Sequence, residues 1–360
     1  MDGGDRALAS LNREFWRGKR ILLTGHTGFK GGWAAIWLTR LGAQVTGLSL
    51  PPDQAPNLYD LARVENLVDS ILLDLTDPTA LARALDGRAF DLVLHMAAQS
   101  LVRASVANPI GTFMTNVMGT AYLLEALRAQ PSLLAAVVVT SDKVYANRDQ
   151  GRAFLEGDCL GGKDPYSASK AAAELLVSSY AQTFYDKAGV HLASARAGNV
   201  IGGGDFSRDR LVADIVRAAR AGRQVSIRHP EATRPWQHVL DCLMAYLAYL
   251  EALGARREIP RALNLGPRPE DRAVTVGELA TLAVEGLGSK PWRHDPDPAS
   301  IEAKSLAIDA TLARRTLGIA SRFSAEQAIK LSVEWYARQA AGEDALALCC
   351  EQIETYEGCR

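Results

Sequence analysis

The stretch RILLTGHTGFKGG, residues 20–32, carries the first indication of the fold. Its apolar run RILLT ends at Gly25, and Gly28 and Gly31 follow at equal spacing before a helical pattern. Glycine lacks a Cβ atom, so such a turn brings backbone N–H groups close to an anion at the start of a helix. The pattern predicts a loop that binds the pyrophosphate of a dinucleotide, with an ordinary structural turn as the alternative. The cofactor-binding residues predicted in the turn are Gly25, Thr27, Gly28, Phe29, Lys30 and Gly31.

Short apolar runs alternate with helical patterns beyond this turn. Further strands are predicted over residues 44–50, 70–73, 92–95, 136–141 and 191–196. Helices are predicted over residues 32–41, 78–85, 109–129, 166–187, 211–221, 239–253, 276–287 and 325–341. This alternation indicates βαβ crossovers, and therefore a parallel sheet with ligands at the carboxyl ends of its strands. We expect an α/β fold: a Rossmann-type doubly wound parallel sheet with a smaller, mostly C-terminal α/β substrate-binding lobe.

The chain has 360 residues, a length that suits a two-lobed enzyme. In the second half of the sequence, the alternation of strands and helices gives way to helices that turn-rich segments separate. We therefore predict a dinucleotide-binding Rossmann domain over residues 1–190 and a substrate-binding lobe over residues 191–360, with later strands returning to the first domain.

Composition and charge exclude several classes of function. Forty Lys and Arg residues balance 41 Asp and Glu residues, so no global basic field attracts nucleic acid or an anionic membrane. The five cysteines lack metal-type spacing and are odd in number, which favours a reduced cytoplasmic chain without a metal site. The N-terminus lacks an apolar signal-peptide core, and no apolar run is long enough to span a bilayer. A local basic pocket for a phosphorylated small molecule is compatible with this balance.

The ends of the second, third and fourth strands offer further cofactor contacts. The second strand, VTGLSL, ends without an acidic residue for the adenosine ribose, so it does not decide between NAD and NADP. Asp74 and Leu75 follow the third strand and are predicted to meet the adenine, although an acid that caps a strand end is the alternative. After the fourth strand, Ala97, Ala98 and Gln99 provide small residues where backbone passes close to the cofactor.

Tyr166 and Lys170 are separated by four positions in a predicted helix, so their side chains share one face. A phenol with a pKa near ~10 is a poor base at neutral pH, and a neighbouring ammonium lowers that pKa. Such a tyrosine can take the proton of a substrate hydroxyl while hydride leaves the same carbon for a nicotinamide. A surface Tyr and Lys at a helix start is the alternative for this short motif.

A hydroxyl, a carboxyl and an amine emerge in sequence where the fifth strand ends, at Ser141, Asp142 and Lys143. A polar exit from a strand is common, but Tyr166 and Lys170 follow within the same predicted crossover. Ser141 can share a hydrogen bond with the hydroxyl being oxidised, and the next two residues suit a second proton transfer. Farther on, arginines cluster around Gly-rich turns, which suggests an anionic ligand. The predicted substrate-binding residues of this half are Arg196, Asn199, Arg210, Leu211, Arg234 and His238.

Together, these motifs resemble the extended short-chain dehydrogenase/reductase superfamily. The strings that carry a narrower resemblance are TGHTGFKGGW, AAQSLVR, TNVMGT, TSDKVY, LGGKDPYSASK, ARAGNVIGGGD, ATRPWQHV and EWYARQAAGED. In order and spacing they are similar to the nucleotide-sugar 4,6-dehydratases that act on CDP-glucose, over roughly residues 15–356. The resemblance implies NAD as cofactor, CDP-glucose as substrate, and a role in deoxysugar and surface polysaccharide synthesis.

The resemblance also implies roles for single residues. Tyr166 would be the base for C4 oxidation, with Lys170 tuning it and binding the nicotinamide ribose; Asn116, in TNVMGT, would lie at the cofactor. Asp142 would protonate the leaving C6 hydroxyl. Lys143 stands where dTDP-glucose dehydratases carry Glu, the base for C5, and this favours the cytidine substrate. Because a lysine must first lose its charge to act as a base, stabilisation of the enolate by Lys143 is the alternative.

Two other functions use the same scaffold. A nucleotide-sugar 4-epimerase would need Tyr166 and Lys170 but not the pair Asp142 and Lys143, and a non-catalytic dinucleotide sensor would need neither pair. By analogy with the superfamily, the Ala- and Leu-rich helices predicted over residues 109–129 and 166–187 imply a homodimer.

Overall fold

The computed structural model describes residues 10–148, 151–297 and 306–358. Residues 1–9 and Cys359 lie outside the described residues. In chain order, the strands are β1 (Arg20–Thr24), β2 (Gln44–Ser49), β3 (Asp69–Leu72), β4 (Leu92–His95), β5 (Ala135–Val139), β6 (His191–Arg196), β7 (Val200–Ile201), β8 (Ser226–Ile227), β9 (Thr233–Arg234), β10 (Gln237–His238), β11 (Ala262–Asn264), β12 (Val274–Thr275) and β13 (Arg293–His294).

The α-helices flank and connect these strands. They are α1 (Arg13–Trp16), α2 (Phe29–Arg40), α3 (Leu58–Leu61), α4 (Pro78–Leu85), α5 (Val102–Ala107), α6 (Pro109–Phe113), α7 (Thr120–Leu127), α8 (Pro165–Tyr180), α9 (Leu211–Arg220), α10 (Val239–Gly254), α11 (Val276–Gly286), α12 (Thr311–Leu317), α13 (Ala325–Ala340) and α14 (Ala345–Gly358). In the described part of the chain, none of the helices is both long and apolar enough to cross a bilayer.

The main sheet confirms the predicted Rossmann-type α/β fold. Its seven described strands are all parallel, in the order β11-β6-β5-β4-β1-β2-β3. The chain runs outward from β1 through β2 to β3 on one side, and from β4 through β5 to β6 on the other. The strand order therefore reverses between β1 and β4, and ligands bind outside the carboxyl ends of strands at such a switch point.

Both faces of the main sheet are buried, as parallel sheets require. Side chains alternate across a strand, so Ile21 and Leu23 join one core cluster while Leu22 joins the other. The first cluster includes buried residues of α2, α10, α13 and α14, and the second includes residues of α4, α7 and α8. The apolar runs of the sequence are near-continuous because neither sheet face meets solvent.

Two of the predicted helices differ from the observed ones, and several short helices were not predicted. The helix expected over residues 109–129 is α6, a π-helical segment over Met114–Gly119, and α7. The helix expected over residues 166–187 ends as α8 at Tyr180 and continues as a π-helical segment, Ala181–Tyr185. The periodicity of 3.6 residues is too similar to that of a π-helix for sequence to separate them. Helices α1, α3, α5, α12 and α14 were not predicted.

The smaller lobe is built from α9, α11 and short two-stranded ladders that pair β12 with β9 and β13 with β8. The main sheet itself continues past residue 190 with β6 and receives β11 at its edge. The domain boundary drawn at that residue stays a prediction.

Candidate active site

The glycine turn lies between β1 and α2, at the switch point of the sheet. Gly25 has φ +80°, and a Cβ atom there would lie 2.8 Å from the backbone nitrogen of Ala97. A Cβ atom on Gly31 would lie 1.9 Å from the carbonyl oxygen of Gly25, so the turn closes only without one. Gly28 is the N-cap of α2 and provides no capping side chain. This backbone cradle at a helix N-terminus fits the pyrophosphate of a dinucleotide.

Neutral polar side chains of the glycine turn contact the ends of β2 and β3. The Thr27 hydroxyl donates a hydrogen bond to the Leu50 carbonyl oxygen at 2.8 Å and lies 2.8 Å from the Ser49 hydroxyl. His26 Nε2 lies 2.7 Å from the Ser70 hydroxyl. A Cβ atom on Gly47 would lie 2.4 Å from the His26 ring, so this glycine makes room for the imidazole. Burial lowers the pKa of His26 to about 4, and the ring is therefore neutral at pH 7.

A buried chain of hydrogen bonds joins the ends of β1 and β4. Thr24 Oγ1 lies 2.6 Å from His95 Nδ1, and His95 Nε2 lies 2.9 Å from Thr120 Oγ1. Thr24 Oγ1 also accepts hydrogen bonds from the backbone nitrogens of Met96 and Ala97, each at 3.1 Å. Burial lowers the pKa of His95 to about 3, with a smaller contribution from the Lys170 charge. This chain holds the loop beside the glycine turn and was not predicted from the sequence.

Asn116 occupies the π-helical segment and fixes the loop after β4. Its Oδ1 accepts from the Gln99 backbone nitrogen at 2.8 Å, and its Nδ2 donates to the Gln99 carbonyl oxygen at 2.9 Å. The same Nδ2 donates to the Ser169 hydroxyl at 2.9 Å, on α8. Asn116 therefore connects the predicted cofactor loop of Ala97, Ala98 and Gln99 to the helix of Tyr166.

Asp74 and Leu75 differ in their surroundings. The Asp74 side chain is exposed, and its carboxylate accepts a hydrogen bond from the Thr76 backbone nitrogen at 2.8 Å. Leu75 is buried against Gly119, on the α7 side of the sheet. Asp74 thus caps the turn after β3, which is the alternative weighed for this residue.

Beyond the carboxyl end of β5, Asp142 and Lys143 lie in one turn of 3₁₀-helix, Asp142–Val144, and Ser141 is its N-cap. The Ser141 hydroxyl donates to Asp142 Oδ1 at 3.0 Å and accepts from the Lys143 backbone nitrogen at 3.2 Å. Asp142 is fully buried, and a Cβ atom on Gly198 would lie 2.2 Å from its carboxyl group. Lys143 Nζ lies 3.6 Å from Asp142 Oδ1, and its side chain is 30% exposed.

Asn199 lies against this turn rather than apart from it. Its backbone adopts a left-handed conformation with φ +50°, which asparagine tolerates better than most residues. Its Nδ2 donates a hydrogen bond to Asp142 Oδ2 at 2.8 Å. Both carboxylate oxygens of Asp142 therefore accept hydrogen bonds, one from Asn199 and one from Ser141.

Tyr166 and Lys170 lie on one face at the start of α8, as the spacing predicts, and both are buried. Lys170 Nζ donates to the Val139 carbonyl oxygen at 3.0 Å. Burial lowers the pKa of Lys170 to about 7, the Lys30 charge adds to this, and the Glu174 charge opposes it. The site thus holds a lysine whose charge changes near neutral pH.

The groups that shift the pKa of Tyr166 are not the ones that the sequence led us to expect. Burial raises its pKa, and a hydrogen bond with Ser141 and then the charge of Arg210 oppose this rise. The sequence led us to expect Lys170 to lower this pKa, but its ammonium is hydrogen-bonded to Val139. In the protein alone, Tyr166 is therefore a neutral phenol at pH 7.

Lys30 projects from the glycine turn towards α10. Its Nζ donates to the Tyr246 hydroxyl at 3.4 Å and lies 5.4 Å from the centre of that ring. Burial lowers the pKa of Lys30, and the charge of Arg210 adds to this. Tyr246 was not predicted as a site residue, because it lies within an apolar helical pattern that marks core positions equally well.

One predicted substrate contact, Arg196, is engaged inside the protein. Its guanidinium pairs with the Glu174 carboxylate at 2.7 Å, with both side chains buried. It also donates to the Tyr145 hydroxyl and to the Glu156 carbonyl oxygen, each at 2.9 Å. Glu174 further accepts from the Ser194 hydroxyl at 2.7 Å. These contacts correct the prediction: the residue binds a carboxylate of α8 instead of a substrate anion.

His238 is a second correction. It is fully buried, with its ring edge-on to Trp33 and Phe323, and its Nδ1 accepts from the Leu240 backbone nitrogen at 3.3 Å at the start of α10. Burial lowers its pKa to about 3. The imidazole therefore packs in the core and caps α10. The sequence QHV did not show the direction in which this side chain points, and for this reason it was predicted to contact the substrate.

The remaining predicted substrate residues lie in the smaller lobe. Arg210 donates from its NH2 group to the carbonyl oxygen and to the hydroxyl of Ser100, each at 3.2 Å, and its charge acts on Lys30 and Tyr166. Leu211 begins α9. Arg234 belongs to β9 and donates to the Thr233 carbonyl oxygen at 2.8 Å. Arg210 thus reaches from the start of α9 to the loop after β4, across the edge of the site.

Comparisons with known proteins agree with this geometry. The profile of the NAD dependent epimerase/dehydratase family matches residues 21–266. The CDP-glucose 4,6-dehydratase of Salmonella typhimurium is 40% identical over 355 residues, 96% of this chain and 98% of that protein. The dTDP-glucose 4,6-dehydratase of Xanthomonas campestris is 28% identical, over 88% of this chain and 92% of that protein.

Solved structures show the same architecture. The Thermus thermophilus UDP-glucose 4-epimerase, in complex with NAD, superimposes with a TM-score of 0.76 and 25% identity, over 88% of this chain and 99% of that one. The Bacillus anthracis dTDP-glucose 4,6-dehydratase, also in complex with NAD, gives a TM-score of 0.75 over 91% of this chain and 100% of that one, at 21% identity.

The chain therefore belongs to the NAD dependent epimerase/dehydratase family. Within that family, it is an NAD-dependent sugar-nucleotide 4,6-dehydratase. NAD is the cofactor, and the question that the second strand left open is thereby answered.

Proposed function

We propose that this enzyme converts CDP-D-glucose to CDP-4-dehydro-6-deoxy-D-glucose and water. The observation that supports this most is the turn of Ser141, Asp142 and Lys143 beside Tyr166, because an epimerase needs no acid and base at C5 and C6. The cytidine nucleotide is supported by 40% identity to the Salmonella CDP-glucose enzyme, compared with 28% to the Xanthomonas dTDP-glucose enzyme. Lys143, at the position where thymidine enzymes are expected to carry Glu, points the same way.

The chemistry follows from the acidity of the sugar. A C5 proton in an intact hexose is too weak an acid to remove, whereas a ketone at C4 places it next to a carbonyl. NAD held by the glycine turn and the Tyr166 helix would supply the hydride chemistry that this reaction needs, out of C4 and back to C6. Tyr166 takes the proton of the C4 hydroxyl, Lys170 binds the nicotinamide ribose, and Ser141 holds the hydroxyl being oxidised.

Asp142 and Lys143 carry out the loss of water. Asp142 protonates the departing C6 hydroxyl, and Lys143 takes the C5 proton or, as ammonium, stabilises the enolate. Asn199 supports Asp142 through the hydrogen bond of 2.8 Å to its carboxylate. Arg210 and Arg234 are the proposed contacts of the nucleotide diphosphate, because one guanidinium group can donate two parallel hydrogen bonds to phosphate oxygens.

The glycine turn, the loop of Ala97, Ala98 and Gln99, and the Tyr166 helix are the proposed cofactor contacts. The fit rests on the cradle that a Cβ atom at Gly25 or Gly31 would fill. Leu75 lines the same end of the sheet, while Asn116 acts through the loop that it holds.

We also propose a homodimer in the cytoplasm. Large apolar side chains are exposed on neighbouring helical segments: Val106, Ile110, Phe113, Met114, Met118 and Leu175. The segments that carry them, from α5 to the π-helical segment and α8, contact each other within the chain. Patches of this kind mark protein interfaces. The four described cysteines are free, as in a reducing compartment. The product would supply deoxysugar and surface polysaccharide synthesis.

The test is product analysis with three substrates. Purified protein and NAD are incubated separately with CDP-glucose, dTDP-glucose and UDP-glucose, and the products are identified by NMR. The proposal expects a 6-deoxy-4-ulose from CDP-glucose at the highest kcat/KM. A C4-inverted sugar would indicate an epimerase, and equal or better turnover of dTDP-glucose would refute the cytidine preference.

A further inference from the structure

The second strand ends on a hydroxyl at the point where dinucleotide-binding folds usually carry a carboxylate. In such folds, an Asp or Glu there accepts a hydrogen bond from the 2′-hydroxyl of the adenosine ribose. Here β2 ends at Ser49, which is buried with 8% of its surface exposed. Its carbonyl oxygen accepts from the Leu73 backbone nitrogen at 2.7 Å. The end of β2 is therefore fixed by the chain beyond β3, and the serine hydroxyl takes the place of the acid.

The hydroxyls of Thr27 and Ser49 have a fixed order of donation. Thr27 has one hydroxyl proton, and it is donated to the Leu50 carbonyl oxygen at 2.8 Å, because a carbonyl oxygen can only accept. The Ser49 hydroxyl lies 2.8 Å from the Thr27 hydroxyl, so the hydrogen bond between the two uses the proton of Ser49. With that proton engaged, Ser49 presents only lone pairs to a ligand, as a carboxylate does.

We propose that Ser49 accepts a hydrogen bond from the adenosine 2′-hydroxyl of NAD, and that Thr27 is the positioning residue that makes Ser49 an acceptor. The neutral pair replaces the missing acid and favours NAD over NADP, because a ribose hydroxyl brings the proton that Ser49 lacks. This inference rests on the proposed cofactor contacts of the glycine turn, to which Thr27 belongs, and it adds Ser49 to them.

A 2′-phosphate would meet no donor at this place. Its oxygens accept hydrogen bonds, and they would face the lone pairs of the serine. Pro51 and Pro52 follow the strand and have no backbone N–H to offer. Residues 44–62 include no Lys, Arg or His, and the next residue, Arg63, pairs with Asp344 at 2.7 Å. The segment after β2 therefore supplies neither the backbone donors nor the free cation that bind such a phosphate.

The other polar groups beside this strand end are uncharged. His26 Nε2 lies 2.7 Å from the Ser70 hydroxyl, which in turn lies 3.0 Å from the Tyr59 hydroxyl. Burial lowers the pKa of His26 to about 4, so its ring carries no charge at pH 7. Asp53, the first acid after β2, is exposed. The choice between the two cofactors therefore depends here on the direction of a hydrogen bond rather than on a charge.

The first test uses the wild-type enzyme alone. Calorimetric titration, without sugar nucleotide, compares NAD, an NAD analogue that lacks the adenosine 2′-hydroxyl, and NADP. The analogue should bind about fivefold more weakly than NAD, the usual effect of one neutral hydrogen bond. NADP should bind at least about tenfold more weakly, because its phosphate leaves acceptors without donors. Equal affinities for NAD and the analogue would refute the proposal without any variant.

The second test removes the acceptor. Ser49→Ala should bind NAD about fivefold more weakly than the wild type and should no longer distinguish NAD from the analogue. Ser70→Ala is the matched control, because it removes a neighbouring hydroxyl that contacts His26 and Tyr59, and it should keep the wild-type difference. A Ser49→Ala enzyme that is folded by far-UV circular dichroism and still distinguishes the two ligands would contradict the role of Ser49.

The third test concerns the positioning role of Thr27. In Thr27→Val, the Ser49 proton loses its acceptor and becomes available to a phosphate, so the ratio of NAD to NADP affinity should fall by about threefold or more. Thr27→Ser keeps the hydroxyl and should retain the wild-type ratio. A purely structural role of Thr27 would weaken the binding of both cofactors alike, so an unchanged ratio in Thr27→Val would refute the positioning role.

These titrations are independent of the sugar nucleotide, which separates two kinds of failure. A wild type that forms a 6-deoxy-4-ulose from CDP-glucose but binds the analogue as tightly as NAD would overturn this inference alone. A wild type that binds neither NAD nor the analogue would overturn the proposed cofactor contacts as well.

Discussion

At the scale of single residues, helix α8, which carries the proposed pair Tyr166 and Lys170, is held by a buried ion pair. Glu174 lies one helical turn beyond Lys170, and its carboxylate binds Arg196 of β6 and the hydroxyls of Thr140 and Ser194. Arg196 in turn binds Tyr145, which directly follows the turn that holds Asp142 and Lys143. The pair thus connects helix α8 to the turn of Asp142 and Lys143, and it occupies the arginine that we expected to contact the substrate.

Removal of one partner should leave the other charge buried without compensation. We expect Glu174→Gln to lower the free energy of unfolding by about 3 kcal/mol, measured by urea denaturation. The control is Glu125→Gln, whose carboxylate pairs with Arg128 on the surface, and its effect should lie within experimental error. Equal effects of the two variants would contradict the account of this network.

Lys170 makes stability depend on pH. Its pKa is about 7 in the folded protein, whereas an unperturbed lysine has a pKa of 10.5, so the unfolded chain binds more protons between these values. Stability should therefore rise with pH in that window and gain nothing from this residue below it. From about pH 7 to about pH 9, the wild type should gain roughly 2 kcal/mol relative to Lys170→Met. A pH-independent difference between the two proteins, without cofactor, would contradict the lowered pKa.

At the scale of elements, the strand–turn–helix of β1 and α2 is the proposed cofactor cradle, and α14 packs against α2. Trp37 of α2 donates to Glu357 at 3.0 Å, and Arg40 pairs with Glu354 at 2.6 Å. Tyr356 of α14 donates to the buried carboxylate of Asp241, at 3.0 Å. Helix α2 is therefore packed between the sheet and α14.

Adjacent glycines of the turn should respond differently to alanine. In Gly31→Ala, the new Cβ would lie 1.9 Å from a backbone oxygen, so the turn must open and NAD affinity should fall at least about tenfold. In Gly32→Ala, the new Cβ meets the flexible Leu58 side chain at 3.1 Å, which can move. Calorimetric titration of both variants with NAD checks this contrast, and similar affinities would contradict the proposed cradle.

Most elements of the main sheet could be predicted because each strand is an apolar run that stops at a polar or glycine residue. The run at β6 was predicted at its observed bounds, His191–Arg196. The π-helical segments were not predicted because they share the apolar periodicity of the helices that they join. Helix α14 escaped because ALALCCEQIETYEG reads as a weak amphipathic pattern at the chain end, and its partners on α2 are more than 300 residues away in sequence.

Residue types and spacing predicted the side chains of the proposed catalytic set, but they did not predict the direction in which charged side chains point. Ser141, Asp142, Lys143, Tyr166 and Lys170 are brought together because the carboxyl end of β5 and the start of α8 meet at one edge of the sheet. Arg196 and His238 have the same residue types as ligand contacts, and only tertiary packing turns them inward. Glu174 was missed because a lone glutamate in an Ala-rich helix looks like a solvated position until its buried arginine is known.

At the scale of the whole molecule, the exposed apolar side chains of α5, α6 and α8 predict a dimer. Leu175→Glu places a charge at a residue that is 63% exposed, and we expect it to convert the dimer into a monomer, as measured by light scattering after gel filtration. Leu282→Glu, at a residue that is 38% exposed on α11, is the control and should leave the mass unchanged. A wild type that is monomeric at all concentrations would refute the homodimer.

The most direct measurement follows one hydrogen through the reaction. CDP-glucose that carries deuterium at C4 is incubated with the enzyme and NAD, and the product is examined by NMR. The account predicts a 4-ketone with deuterium in a new C6 methyl group, because the hydrogen removed from C4 is the one delivered to C6. Deuterium retained at C4 of an inverted sugar, or substrate recovered unchanged, would contradict it.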